Sequence, residues 1–240
     1  MSSLGKSCVA EALGAGALSF IGAGVICMDA KMGAAGAGLL GIALAHGIIL
    51  SIGVSATMNV SGGHLNPAVT IAMLFTGRIS LANAVCFVLS QLVGATIAGA
   101  LVYMIFKGMM AGDVSVVKAA GLGTPQYNPA QINMGLAILI EACLTFLLVF
   151  AIFGTAVDPR APKIGGFGIG LTIAADILLG GPLTGAAMNP SRTFGPGIVA
   201  FFTGNLDVFP GQHVVYWVGP VAGALIAAWM YDLFVMEKKA

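Results

Sequence analysis

The sequence predicts an all-α integral membrane protein: six transmembrane helices plus two re-entrant half-helices in an inverted repeat, within one domain spanning residues 1–240. Three observations predict it. Hydrophobic residues make up 58 % of the chain and charged residues 8 %, with a mean hydropathy of +1.00. A soluble domain carries roughly a quarter charged residues, so this chain cannot cover itself with polar surface. The apolar residues gather in six runs long enough to cross a hydrocarbon core, which takes about 20 residues of helix. Two short apolar segments, each opened by Asn-Pro behind a Gly-rich turn, interrupt the series.

The first span covers residues 6–28 and holds Glu11; an acid inside the apolar stretch marks a retained span rather than a cleaved signal peptide. The second covers 37–58. Directly after it comes Ser61-Gly62-Gly63-His64-Leu65-Asn66-Pro67-Ala68-Val69-Thr70. Gly62 and Gly63 permit a tight turn. Asn66 is a good N-cap, and Pro67 a good first helical residue because it has no N–H to leave unpaired. The helix over 68–75, which Gly77 can end, is too short to cross a bilayer and reads as a segment that dips in and stops. The third span covers 81–106, the fourth 132–157 and the fifth 165–183. The device then returns as Thr184-Gly185-Ala186-Ala187-Met188-Asn189-Pro190-Ser191-Arg192-Thr193-Phe194-Gly195-Pro196. The sixth span covers 213–234, with Tyr216, Trp217, Trp229 and Tyr231 toward its ends, where an aromatic belt would lie. Ala10 with Gly14, Ala95 with Gly99, and Gly219 with Gly223 have the spacing that lets helices cross closely.

Orientation follows from the basic residues. With the N-terminus inside, the inner connections carry Lys6, Arg78, Arg160, Lys163, Lys238 and Lys239, against Lys31, Lys107 and Lys118 outside. The positive-inside rule then places both termini in the cytoplasm, and in a prokaryote the membrane would be the plasma membrane. Glu11 and Glu141, Gly41 and Gly170, and Asn66 and Asn189 recur roughly 120–130 residues apart, which makes one unit of three spans and a half-helix used twice. The repeats cover approximately 1–122 and 123–240. Three spans is an odd number, so the second copy enters from the opposite face, and a functional site is expected where the broken helices meet near the midplane.

Polar backbone at membrane depth is tolerated only where it lines a cavity or is buried in protein. The runs 61–65 and 183–188 therefore offer carbonyl acceptors to something that crosses. The two half-helix N-termini point at one another, each with about half a positive charge. Asn66 and Asn189 sit there and can aim amide donors at a lumen. Two positive ends at one level repel cations and hold a water molecule by its oxygen, which is passive selection with no reaction.

Ser-Gly-Gly-His-Leu-Asn-Pro-Ala-Val-Thr and Met-Asn-Pro-Ser-Arg-Thr-Phe-Gly-Pro resemble the two signature loops of the aquaporin (major intrinsic protein) family, and the likeness covers nearly the whole chain. The resemblance implies an aquaporin-like fold and a homotetramer with one pore per subunit. It also implies an Asn-Pro-Ala constriction formed by Asn66, Pro67, Ala68, Asn189, Pro190 and Ser191, and a filter nearer the outside. Ser191 stands where alanine is usual; serine is small and can bond back to the helix, so little change is expected. By family position the filter falls on His46, Ile177, Ala186 and Arg192. That set, with the run Ala-Asp-Ile-Leu-Leu-Gly-Gly at 175–181, is similar to plant tonoplast intrinsic aquaporins. The implied function is a passive channel for water and small neutral solutes such as ammonia that excludes protons and ions. The alternative is a glycerol- or urea-type facilitator with low water flux, although Thr193 stands where glycerol facilitators usually carry Asp.

Other residues bear on the site. Arg192 is a charge in an apolar stretch, and such charges are functional by default. His46 reads as filter member, core histidine or pH switch, and beside Arg192 it should stay neutral. Glu11 and Glu141 are implied to brace the re-entrant loops by accepting backbone N–H bonds, and His64 to support the first loop. Asp176 demands a partner, with Arg192 or His46 as candidates. His213 reads as a solvated interfacial residue. Cys8, Cys27, Cys86 and Cys143 read as small buried hydrophobes. No basic patch with interleaved aromatics suggests nucleic acid, and no metal-ligand spacing, nucleophile–base pair or phosphate loop suggests an enzyme, a metal or a cofactor. A coupled transporter would want more intramembrane ion ligands than this chain has. A protein with a vestigial pore would not need Asn66, Asn189 and Arg192.

Overall fold

Helices that are apolar around their whole circumference need no amphipathic stripe, because lipid rather than water meets their outer face. The computed structural model describes residues 3–204 and 209–237. Its helices are α1 (Ser3–Met32), α2 (Gly38–Ser61), the half-helix α3 (Pro67–Phe75), α4 (Leu81–Met109), the short α5 (Ser115–Ala119), α6 (Met134–Ile152), α7 (Phe167–Thr184), the second half-helix α8 (Pro190–Phe202), the one-turn α9 (Phe209–Gln212) and α10 (Val215–Met230). α6 and α10 each run on into a π-helical turn, Phe153–Val157 and Tyr231–Val235. Among the described residues, six helical segments are long and apolar enough to cross a membrane.

The observed ends lie within a turn of those expected. α1 is longer than predicted, and its last turn carries Asp29 and Lys31 beyond the apolar run. Long charged side chains at a helix end can reach the interface, so those charges do not stop the helix. Ser80 and Asn133 cap α4 and α6 by accepting from Asn83 N at 3.3 Å and Leu136 N at 2.9 Å. Lys238 and Lys239, which entered the orientation argument, lie outside the described residues.

α1 packs along α4, and α6 packs along α10 in the same manner. The contacts are backbone-close. A Cβ on Gly94 would strike the Ala12 carbonyl, and one on Gly223 would strike the Ala142 carbonyl at the equivalent place in the second half. Lipid gives helices no hydrophobic reason to associate, so close packing at small residues carries that load. α2 crosses α7 at Gly47 and Gly170, and α8 sits on α4 where Gly195 meets Ala95. Large apolar side chains such as Leu13, Ile48, Leu89, Leu139 and Leu179 face outward, while Glu11, Gln91, Glu141, Asp176 and Arg192 are buried.

On the face that carries the chain ends, two arginines tie the connections together. Arg78 holds Asp232 through both carboxylate oxygens, at 2.7 and 2.8 Å, and stacks over Phe153. Arg160 holds Asp158 at 2.7 Å, the Val235 carbonyl at 2.8 Å and Glu237 at 3.0 Å.

Three expectations need correction. Trp229 is half-exposed, as a belt residue would be, but Tyr216 and Tyr231 are buried. Their hydroxyls donate to Thr184 O and Asp158 Oδ2, which draws them inward. Of the four cysteines only Cys27 is buried; Cys8 and Cys86 are half-buried and Cys143 is exposed. Ser61, Leu183 and Thr184 belong to helix ends, so the extended part of each Gly-rich run is shorter than its sequence suggests, and Thr184 O is taken by Tyr216.

Candidate functional site

Each half-helix begins as its residues dictate. Asn66 is extended, and its Oδ1 accepts from Ala68 N at 2.8 Å. Asn189 is extended, and its Oδ1 accepts from Ser191 N at 3.0 Å and Arg192 N at 3.3 Å. Pro67 and Pro190 follow at the first helical position. Each amide nitrogen then reaches across to the other loop: Asn66 Nδ2 donates to Met188 O at 2.9 Å, and Asn189 Nδ2 to Leu65 O at 3.0 Å. The two motifs are thus bolted together at their tips. One proton of each NH₂ group is used in that bond and the other is left for the lumen. Ala68 is fully buried behind the tip. Ser191 Oγ donates to Asn189 Oδ1 at 2.8 Å, so the serine steadies the asparagine instead of bonding back to the helix.

The loops are held from behind by the two buried glutamates. Glu11 accepts from His64 N at 2.9 Å, Leu65 N at 2.6 Å, Ser61 Oγ at 2.6 Å and Gln91 Nε2 at 2.7 Å. Glu141 accepts from Ala187 N at 3.0 Å, Met188 N at 2.8 Å and Thr184 Oγ1 at 2.7 Å. Leu65, Ala186 and Met188 have positive φ although none is glycine. Such backbone persists only where its surroundings over-determine it, and the glutamates supply the bonds that do so. His64 Nδ1 lies 3.1 Å from Thr70 Oγ1, which donates to Asn66 O and accepts from Gln91 Nε2. Thr70 Oγ1 has its own proton committed, so His64 Nδ1 is the donor there.

A cavity of about 210 Å³ opens from the chain-end face up to Asn66 and Asn189; its walls include Val54, Met73, Ile152 and Ile173. A second cavity, about 380 Å³, opens from the opposite face and includes Asp29, His46, Thr124, Gln126, Ile177 and Gly185. Arg192 links the two. Its backbone N is capped by Asn189 at one cavity, and its side chain meets His46 at the other. Nη2 lies 3.2 Å and Nε 3.4 Å from His46 Nε2, and Nη2 donates to Gly123 O at 2.9 Å. Gly22 of α1 leaves the space they occupy; a Cβ there would collide with His46 Nε2. Ile177 shares the His46 wall, whereas Ala186, next in sequence to the lining residue Gly185, is buried and lines neither of the two cavities.

Asp176 is buried beside Ile177, but it bonds neither Arg192 nor His46, and its Oδ2 has no hydrogen-bond partner. The reason is helical geometry: Ile177 faces the cavity, and the preceding residue is turned about 100° away. His213 is not simply solvated, since it accepts from Trp217 Nε1 at 2.8 Å and lies against Phe194. Sequence reasoning missed Gly123, whose carbonyl anchors Arg192, and Thr124 and Gln126, which line the outer cavity. They sit in an irregular connection with no periodicity or motif to draw attention.

A family model described as "Major intrinsic protein" matches residues 1–231. Aquaporin TIP4-4 of Zea mays is 39 % identical over 227 residues, covering 91 % of this chain and 82 % of that protein. Aquaporin TIP1-2 of Zea mays is 37 % identical over 241 residues, covering 98 % and 87 %. Among solved structures, the X-ray structure of the aquaglyceroporin from Plasmodium falciparum superposes with a TM-score of 0.84 over 97 % of each chain. Its identity is 24 %, so that likeness speaks to the fold.

Proposed function

We propose, from the premise that this chain belongs to the major intrinsic protein family, that it is a passive channel for water. The observation that carries the reading is the reciprocal bond of Asn66 to Met188 O and Asn189 to Leu65 O. It fixes two amide donors and two half-helix N-termini at one level between the cavities. A water molecule there is held by its oxygen, and both its protons are turned away from the centre. The paired positive ends, with Arg192 beyond them, repel cations. Water passes and a proton does not.

Solute range rests on His46, Ile177, Ala186 and Arg192. Isoleucine and alanine are smaller than aromatic side chains, so a filter built with them is expected to admit more than water alone. We assign it ammonia as a second neutral permeant. The unit is a homotetramer with one pore per subunit, its repeats running approximately 1–122 and 123–240. Both termini are cytoplasmic, because Arg78 and Arg160 lie on the face of the chain ends. No catalytic role is assigned to any residue.

Stopped-flow light scattering on proteoliposomes tests this. An osmotic jump should give water flux well above bare liposomes, and an ammonia gradient should alkalinise an internal dye faster than in controls. Water flux without ammonia flux would remove the second permeant. Glycerol flux with little water flux would favour the facilitator reading.

A further inference from the structure

We propose that Gln212, the last residue of α9, is a positioning residue for the filter. Its primary amide grips both backbone groups of one residue: Tyr127 N donates to Gln212 Oε1 at 3.0 Å, and Gln212 Nε2 donates to Tyr127 O at 2.9 Å. Gln212 and Tyr127 are both buried. Backbone groups taken out of water need partners, and here one side chain from a distant part of the chain supplies both.

Tyr127 closes a connection that forms one wall of the outer cavity. Gly121, Leu122, Gly123, Thr124 and Pro125 are all buried, and Leu122 and Gly123 have positive φ. Its near end is seated on α1, where a Cβ on Gly123 would overlap the Ala23 backbone. Its middle is wedged by Pro125 against Gly185, at the rim beside Ala186. Its far end is held by Gln212. Gly123 O, the anchor of Arg192 Nη2, belongs to the near fastening itself, and Thr124 and Gln126, between it and Tyr127, form part of the wall around His46 and Ile177. Releasing the far end lets this wall move. Gly123 stays seated on α1, so Arg192 keeps both His46 and its carbonyl, while the wall from Thr124 to Tyr127 shifts and the aperture becomes larger and less well defined.

This assignment rests on the channel reading, and the test separates the two. Wild-type protein, Gln212→Met and Gln212→Glu are reconstituted, and water and glycerol permeabilities are measured on the same vesicles. Methionine keeps the volume and loses both bonds. Glutamate keeps an oxygen that can accept from Tyr127 N. Two net hydrogen bonds are enough to shift a loop equilibrium by on the order of tenfold. The glycerol-to-water ratio should therefore rise about threefold or more in Gln212→Met, and at least as far in Gln212→Glu, whose second oxygen would face the Tyr127 carbonyl with no proton to donate. A purely structural role would lower both permeabilities together with the amount of folded protein and leave the ratio alone. An unchanged ratio in folded Gln212→Met overturns the assignment while leaving the channel intact. Should Gln212→Met fail to fold, a wild-type ratio in Gln212→Glu overturns it equally. A wild-type protein that passes no water overturns the channel reading and this assignment with it.

Discussion

His46 Nε2 faces the Arg192 guanidinium, 3.2 Å from Nη2 and 3.4 Å from Nε, while Nδ1 lies 2.8 Å from Ile42 O. An arginine can only donate and a carbonyl can only accept. The ring is therefore neutral, with its proton on Nδ1 and its lone pair turned to the arginine.

A neutral His46 cannot act as a switch near its reference pKa of about 6.5. Protonating it would set two cations in contact. Water permeability should accordingly stay within about twofold between roughly pH 5.5 and 8, as read by stopped flow. A sigmoidal change centred near pH 6.5 would show that the ring does accept a proton.

Glu141→Gln turns an acceptor into a group that must present an NH₂ to the donors Ala187 N, Met188 N and Thr184 Oγ1. One buried N–H is left facing another. The expected cost is on the order of 2 kcal/mol or more, with loss of water flux because the second re-entrant loop no longer holds its positive-φ residues. Thermal unfolding in detergent and proteoliposome flux check both parts.

Asp176 contributes the reverse case. Its carboxyl is buried with one oxygen unpartnered and makes no bond to the filter. Burying such a group is unfavourable. Asp176→Asn should leave water flux within about twofold and raise the unfolding midpoint by a few degrees. A large loss of flux would give Asp176 a part in conduction that its contacts do not suggest.

The Asp158 carboxyl is held well below the usual carboxylate range, chiefly by hydrogen bonds from the Arg160 side chain and backbone. A depressed folded value means that the contribution to stability is fully present above the unfolded value of about 3.9 and is lost as pH falls through the folded one. The contribution of this pair to the unfolding midpoint should thus be full and constant with pH near neutrality and begin to fall below about pH 5. Asp158→Asn should lower the neutral-pH midpoint and flatten that part of the acid limb. An unaltered acid limb in the variant would show that other carboxylates govern it.

Much of the molecule was legible in the order of residues. Hydropathy alone placed the six spans, because a helix that must cross lipid has few alternatives to a long apolar run. Asn66-Pro67 and Asn189-Pro190 marked both half-helix starts, because capping is a local event between a side chain and the next turn. Arg192 stood out as a charge in an apolar stretch, His46 and Ile177 were placed by the resemblance to the family, and the structure brings Arg192 to His46 and sets Ile177 on the same wall.

What the sequence by itself determined, then, were the features governed by near neighbours and by the solvent: apolar spans, caps and turns. Tertiary structure alone decided which groups satisfy one another at long range. Asn66 meets Met188 O, Arg192 meets Gly123 O, and Gln212 meets Tyr127. Asp176, adjacent to a wall residue in sequence, is turned away from the cavity. A buried polar group takes whichever partner the packing delivers within about 3 Å, and backbone carbonyls, present at every residue, leave no mark in the sequence to say which one that will be.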